Sequence, residues 1–246
     1  MHRSGVANHG DDLVEQLAQT RSARDFIALL QKRWSAPELV ALALAHGSQA
    51  EPGTRFVYSD TNYVLIGMVI EAATGKRWER VLSERVLEPL ALRDTSAPGA
   101  DPSIAGAYMH GYAQLPFAAD YRDVTALSPS SLDAAASLVS TPADVNRFFS
   151  ALLGGELLSE PALREMTRMR PVSDETGASS YGLGLAFTLL ACGGGYYGHP
   201  GDTLGFHTRN AVDADGTRSV CIAISGDGEF EARSTALIEH ALCPRN

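Results

Sequence analysis

Two short stretches of this chain combine residue types that can do chemistry: Tyr58-Ser59-Asp60 and Gly198-His199-Pro200-Gly201. A tyrosine hydroxyl, with an ordinary pKa near ~10, moves protons at neutral pH only beside a cation that lowers that value. The plain alternative is an aromatic ring packed under the following helix. Asp60 stands at the mouth of that helix, where its carboxylate either caps the helix or meets a substrate, and an ionised carboxylate only accepts hydrogen bonds. His199 is crowded by glycine on one side and proline-glycine on the other at a strand start, an arrangement that suits an imidazole held beside a ligand.

Other routes to chemistry are thin. His2, His9, Asp11 and Asp12 form a loose imidazole and acid cluster. At a chain terminus with glycine between its members, a solvated, frayed loop is the simpler reading, and no metal site is expected. Cys192, Cys221 and Cys243 make no CxxC pair and lack metal-ligand spacing with histidine. Cys221 lies in an alternating apolar run and reads as a buried strand thiol. Cys192 and Cys243 sit at element ends where chain ends could meet, and a bridge there would favour an oxidising compartment. Of the 20 basic residues only Lys32 and Lys76 are lysine, so lysine chemistry must use these two. The GxSxG, GxxxxGK[ST], GxGxxG and HExxH signatures are all absent, and no cofactor is implied.

The elements that must position these residues belong to an ordinary globular chain. With 246 residues, 45% hydrophobic and 20% charged, it is long enough for a real core and too apolar for disorder. A net charge of -9 and no cluster of basic residues make nucleic acid an unsuitable partner. The longest nearly apolar stretch, Tyr63 to Ile70, is far short of the ~20 residues of a membrane span. The opening residues, Met1 to Val6, carry no signal-peptide pattern.

Ser35-x-x-Glu38 is a capping box that opens a helix running to Gly47. Asp60 opens a second from Thr61 to Thr74, ended by Gly75. Thr141-Pro142-Ala143-Asp144 opens a third through Leu153, and Ser159 a short fourth. Residues 101–137, interrupted by Pro102, Pro116 and Pro129, read as irregular connection. Beyond Tyr181 the period changes to strands: Tyr181 to Leu190, Gly205 to Val212 and Thr217 to Ser225, with Asp213-Ala214-Asp215-Gly216 as a hairpin turn. Glu229 to Leu242 closes the chain as a helix. The class is α+β, with lobes at 1–175, mainly helical, and 176–246, an antiparallel sheet with a C-terminal helix.

The motifs, taken in order, resemble those of the serine penicillin-recognising hydrolases. His2-Arg3-Ser4-Gly5 is similar to their H-x-SG turn, and Tyr58-Ser59-Asp60-Thr61-Asn62-Tyr63 to their YxN region. Ser140-Thr141-Pro142-Ala143-Asp144, Tyr181-Gly182-Leu183-Gly184 and Gly198-His199-Pro200-Gly201 follow in the order seen in class C β-lactamases, D-alanyl-D-alanine carboxypeptidases and related esterases. The likeness is greatest to the soluble carboxypeptidases, some of which carry cysteines where Cys192 and Cys243 stand. It implies a single β-lactamase/transpeptidase-like domain, an acyl-enzyme route on peptide, lactam or ester bonds, a small-molecule or peptide substrate, and an extracytoplasmic setting.

By that resemblance Tyr58 relays protons and His199 stands where other branches place the lysine of KTG. Asp60 replaces an asparagine that donates to a substrate carbonyl. Gly201 lets the backbone approach a substrate, and the Asp202 N–H supplies one oxyanion-hole donor. Pro200 and Ala186-Phe187 depart from the carboxypeptidase pattern and leave room for an altered specificity. The family's SxxK nucleophile motif lies upstream of its H-x-SG turn, and here the residues three before Lys32 and Lys76 are Leu29 and Ala73. The expectation is an N-terminally truncated domain, inactive as it stands; the alternative is a remnant that binds peptidoglycan-like peptides. Further expectations are one cleft facing Tyr58 and His199, an uncovered sheet edge, and Cα atoms of Cys192 and Cys243 about 4.4 to 6.8 Å apart. Oligomeric state is not legible.

Overall fold

The computed structural model describes residues 2–115, 117–118, 120–172 and 179–243. It divides into two compact units: residues 1–85 with 96–139, and residues 86–95 with 140–246. The helices after residue 140 therefore go with the sheet, whereas the sequence groups them with the helical part.

The first unit begins with α1 (His9–Gln19), α2 (Ala23–Leu30) and α3 (Ala36–Ala45). Its next helices are α4 (Thr61–Thr74) and α5 (Trp78–Leu82). The Ser35 N–H and hydroxyl both donate to Glu38, at 2.8 and 2.6 Å, and hold its carboxyl below the usual carboxylate range. Leu39, Ala43 and Val64 are completely buried. Residues 101–137 are mostly irregular, as their prolines imply, but contain a short antiparallel hairpin, β1 (Tyr112–Gln114) and β2 (Tyr121–Asp123). Pro116 lies outside the described residues.

On α4, a side chain at Gly67 would press on Ala134 and Trp78, so the glycine admits the turn at Asp133–Ala135. There Trp78 Nε1 donates to Asp133 Oδ1 at 2.7 Å. Burial is the main influence on the Asp133 carboxyl and raises its pKa, outweighing the Ala134 and Trp78 donors that lower it. A raised folded value favours the neutral acid. That contribution is full below the unfolded pKa and is lost as pH rises through the folded one. Asp133→Asn, which keeps an acceptor for Trp78, is expected to be more stable than the parent at neutral pH and to lose that advantage below about pH 4. Urea midpoints at the two pH values check it.

The second unit holds α6 (Pro142–Leu153), α7 (Glu160–Met166) and a seven-stranded antiparallel sheet closed by α8 (Glu231–Leu242). The strands are β3 (Arg170–Pro171), β4 (Ser180–Tyr181), β5 (Ala186–Leu189), β6 (Gly195–Gly198), β7 (Gly201–Thr203), β8 (Phe206–Val212) and β9 (Ser219–Ser225). Their order is β3-β4-β5-β6-β8-β7, with β9 along the other side of β8. The run Tyr181 to Leu190 is two strands, because Gly182-Leu183-Gly184 turns the chain back and pairs Ser180 with Phe187. Alternation along β8 sends Val212 into a cluster with Leu153 and Leu185, and Ala211 into one with Ile238 and Leu242. One face of the sheet is thus covered by α6 and the other by α8.

Among the described residues β9 has no partner strand on its outer edge, and Val220, Cys221, Ile222 and Ile224 are half-buried. Burial pushes the Cys221 thiol up to about 11. Cys192, in the turn between β5 and β6, is bonded to Cys243 at the end of α8, with Cα atoms 6.0 Å apart. No described helix is long and apolar enough to cross a membrane.

Candidate active site

Tyr58 and Asp60 fall in the first unit and His199, Gly201 and Asp202 in the second. In the first unit, residues 2–9 are tied to the mouth of α4 by buried polar groups. The Ser59 hydroxyl donates to the Ala7 carbonyl at 2.9 Å, and the Thr61 hydroxyl donates to the same oxygen at 2.8 Å. Ser4 Oγ meets Asn62 Oδ1 at 2.6 Å, and Asn62 Nδ2 donates to the Ser59 carbonyl at 3.1 Å. Gly5 adopts φ 78°, and a Cβ there would lie 1.9 Å from the Ala50 carbonyl oxygen, so only glycine lets this arm through.

Tyr58 is half-buried, its ring 4.2 Å from that of His2 at an interplanar angle of 25°. His2 is buried and also meets the rings of Phe56 and Tyr63, at 5.4 and 5.5 Å. The Ser59 N–H donates to His2 Nδ1 at 3.1 Å. A backbone N–H only donates, so this tautomer carries its proton on Nε2 and is not the cation that a relay phenol needs.

The frayed, solvated loop expected around His2, His9, Asp11 and Asp12 does not form. His9 is fully buried at the start of α1, with Nδ1 3.1 Å from Thr61 Oγ1 and Nε2 3.2 Å from the Ser131 carbonyl. Asp11 accepts from Asn8 Nδ2 at 2.9 Å, and Asp12 pairs with His46 at 2.8 Å. Among the described residues no group of three His, Cys, Asp or Glu comes together to hold a metal ion. The capping role considered for Asp60 is also corrected. Its backbone is already helical, at φ -63° and ψ -27°, and its carboxylate makes no capping bond to α4. Its N–H donates instead to Asn8 Oδ1 at 3.0 Å.

In the second unit, His199 links β6 to β7. Its N–H donates to Asn210 Oδ1 at 2.9 Å, and its Nδ1 lies 2.7 Å from the Pro200 carbonyl. Because a carbonyl only accepts, Nδ1 carries the proton, and in a neutral ring Nε2 is then the basic nitrogen. Tyr181 meets the imidazole edge to face at 5.7 Å. Space is tight on both sides: a Cβ at Gly198 would sit 2.5 Å from the Asn210 carbonyl oxygen, and one at Gly201 2.5 Å from the side-chain Thr208 Oγ1. Asp202 lies opposite His207 in the ladder, and its side chain is held by His207 and Arg209. It is therefore the backbone of Asp202 that the sequence resemblance can use.

Sequence reasoning missed His207 and Arg209 and did not place His2 against Tyr58. An imidazole in H-x-SG was visible as a motif, but its stacking on Tyr58 joins residues 56 positions apart in the chain.

The beta-lactamase family matches residues 1–242. Among solved structures, a D-stereospecific amidohydrolase from Streptomyces sp. is 34% identical, with a TM-score of 0.90 over 100% of this chain and 71% of that one. A D-amino acid amidase from Ochrobactrum anthropi SV3 is 28% identical, with a TM-score of 0.74 over 94% of this chain and 64% of that one. A beta-lactamase-like protein of Arthroderma benhamiae is 25% identical over 227 residues, which are 88% of this chain and 36% of the fungal protein. A candidate D-alanyl-D-alanine carboxypeptidase of Escherichia coli (strain K12) is 38% identical over 45 residues, 18% of this chain and 10% of that protein. The chain spans about a third of the fungal relative and a smaller part of the bacterial one.

Proposed function

Because the chain belongs to the beta-lactamase family, we propose that it supplies the proton-relay and substrate-binding part of a serine hydrolase that cleaves amide bonds beside D-configured residues through an acyl-enzyme. The names of the amidohydrolase and amidase relatives support the bond type and the configuration. The observation that carries the assignment of residues is the placement of Tyr58, whose ring is stacked on a buried imidazole and whose neighbours are wired to the N-terminal arm. Such preorganisation suits a group that must move a proton in one geometry.

In this reading Tyr58 exchanges protons with the attacking serine and the leaving amine. His199 presents Nε2 to the substrate, and Gly201 and Asp202 offer backbone at the oxyanion. Asp60 accepts a hydrogen bond from a donor on the substrate, in place of donating one. The serine and lysine of SxxK come from outside these 246 residues, so the chain alone forms no acyl-enzyme. A second reading, a remnant that binds D-configured peptides without turning them over, is separated from the first by the same test.

The test is hydrolysis of a D-phenylalanine amide and of a matched ester by the chain preceded by an SxxK-bearing segment. Turnover that is selective for the D-isomer supports the hydrolase. Saturable binding of the D-amide with no turnover supports the remnant, and neither turnover nor binding overturns both.

A further inference from the structure

Strand β7 has three residues and, among the described residues, pairs with β8 alone. A ladder that short frays readily unless side chains hold it. Gly201 contributes no side chain, and Pro200 before it offers no N–H. What holds this strand is a cluster on the α8 face of β8. Arg209 Nη1 is 3.0 Å from Asp202 Oδ1, and the same nitrogen donates to the carbonyls of Gly201 at 3.3 Å and Thr208 at 2.8 Å. The rest of the guanidinium pairs with Glu231 at the start of α8. His207 Nδ1 lies 2.6 Å from Asp202 Oδ1, and its Nε2 lies 3.3 Å from Asp227 Oδ1. Phe230 lies against both groups, 4.5 Å from the His207 ring and 5.1 Å from the guanidinium carbon.

The burial is uneven in an informative way. The side chains of Arg209 and His207 are only 12% and 13% exposed, whereas Asp202 is 51% exposed. The anchoring groups are sheltered and the anchored carboxylate is at the surface. A guanidinium with this little water must keep its carboxylate partners, since a sheltered, unpaired cation is costly. Nη1 reaches a carboxylate and two carbonyls while Nε and Nη2 hold Glu231, and the three donors of an ammonium cannot serve all of these partners at once.

We infer that Arg209 and His207 are positioning residues, which lock the backbone of β7 through the Asp202 carboxylate and the Gly201 carbonyl so that the Asp202 N–H is offered in one orientation. The inference rests on the reading of Asp202 as a backbone donor to the substrate. A donor at an oxyanion is useful only when its direction is fixed before the charge develops. Neither residue touches the substrate in this account. Their effect passes through β7.

Amide hydrogen exchange on the 246-residue chain tests this without catalysis. Arg209→Gln is expected to speed exchange of the amides at 201 and 203, which flank the offered N–H, about tenfold or more while those of β5 and β6 change less than about twofold. Arg209→Lys, which keeps the charge and loses the fork, should fall between parent and Gln. If Arg209→Gln does not fold, Phe230→Leu and Glu231→Gln, each removing one support, should loosen the same two amides to a smaller extent. Unchanged exchange at 201 and 203, or the same acceleration across the whole sheet, overturns the inference. In the chain preceded by an SxxK segment, Arg209→Lys should lower kcat with KM nearly unchanged. An assembly whose parent form shows no turnover removes the hydrolase reading and leaves the exchange result standing.

Discussion

Tyr58→Phe, in the chain preceded by an SxxK segment, is expected to slow acyl transfer to an amide by about 10²- to 10⁴-fold, the usual worth of a positioned proton carrier. The substitution removes one oxygen and leaves the ring stacked on His2 at 4.2 Å, so the fold should not change. Loss of the relay should weigh more on an amide than on an activated ester, because only the poor leaving group needs a proton as it departs. Stopped-flow measurement of acylation with the two substrates separates the effects. Equal losses on amide and activated ester would mean that Tyr58 does not protonate the leaving amine, and no loss on either would remove it from the relay.

Reduction of the Cys192–Cys243 bridge carries the second large effect. The two cysteines are 51 positions apart, and in the chain-entropy account releasing a loop of that size costs roughly 4 kcal/mol. For a chain of this length that is a fall in melting temperature of about 10 °C. Scanning calorimetry with and without reductant measures it, with a Cys192→Ser/Cys243→Ser double variant as the reductant-free control. The bridge ties the turn between β5 and β6 to the end of α8, next to the contact of Glu239 with the Ala191 N–H at 3.3 Å. An unchanged melting temperature would show that α8 is held without the bridge, by the Ile238 and Leu242 contacts and the Arg209–Glu231 pair.

The parts of the fold that were legible in the sequence are those whose signals are local. Helices α4 and α6 end where glycine and proline put them, because a cap or a left-handed stop is decided within one turn. The strand pair β8 and β9 showed its alternation for the same reason. Strands β6 and β7 did not, since Gly195, Gly198 and Gly201 carry no apolar side chain to alternate. Glycine is needed there because neighbouring atoms leave no room for anything larger: the Thr188 and Asn210 carbonyls at Gly195 and Gly198, and the Thr208 hydroxyl at Gly201. Helix α1 was hidden by the assumption of a frayed terminus. The buried positions of His2 and His9, which refute it, depend on Ser59, Thr61 and Ser131 far along the chain.

The same division runs through the candidate site. Tyr58 and His199 were visible as motif residues. The groups that hold them were not, because Arg209 and His207 find their carboxylates at 202, 227 and 231 only after β7, β8 and the start of α8 have met. Asp60 shows the converse failure. The capping rule fits its residue type, yet its N–H serves Asn8 while its carboxylate leaves α4 uncapped.

The claim that the nucleophile lies outside these residues is tested most directly by intact-mass analysis after incubation with a penicillin. The 246-residue chain should gain no mass, and the same chain preceded by an SxxK segment should gain one penicilloyl group, mapped by peptide sequencing to the serine of that segment. A penicilloyl group on any serine within residues 1–246 would contradict the account, since the nucleophile would then be in the chain and Tyr58 and His199 would have to be reassigned around it.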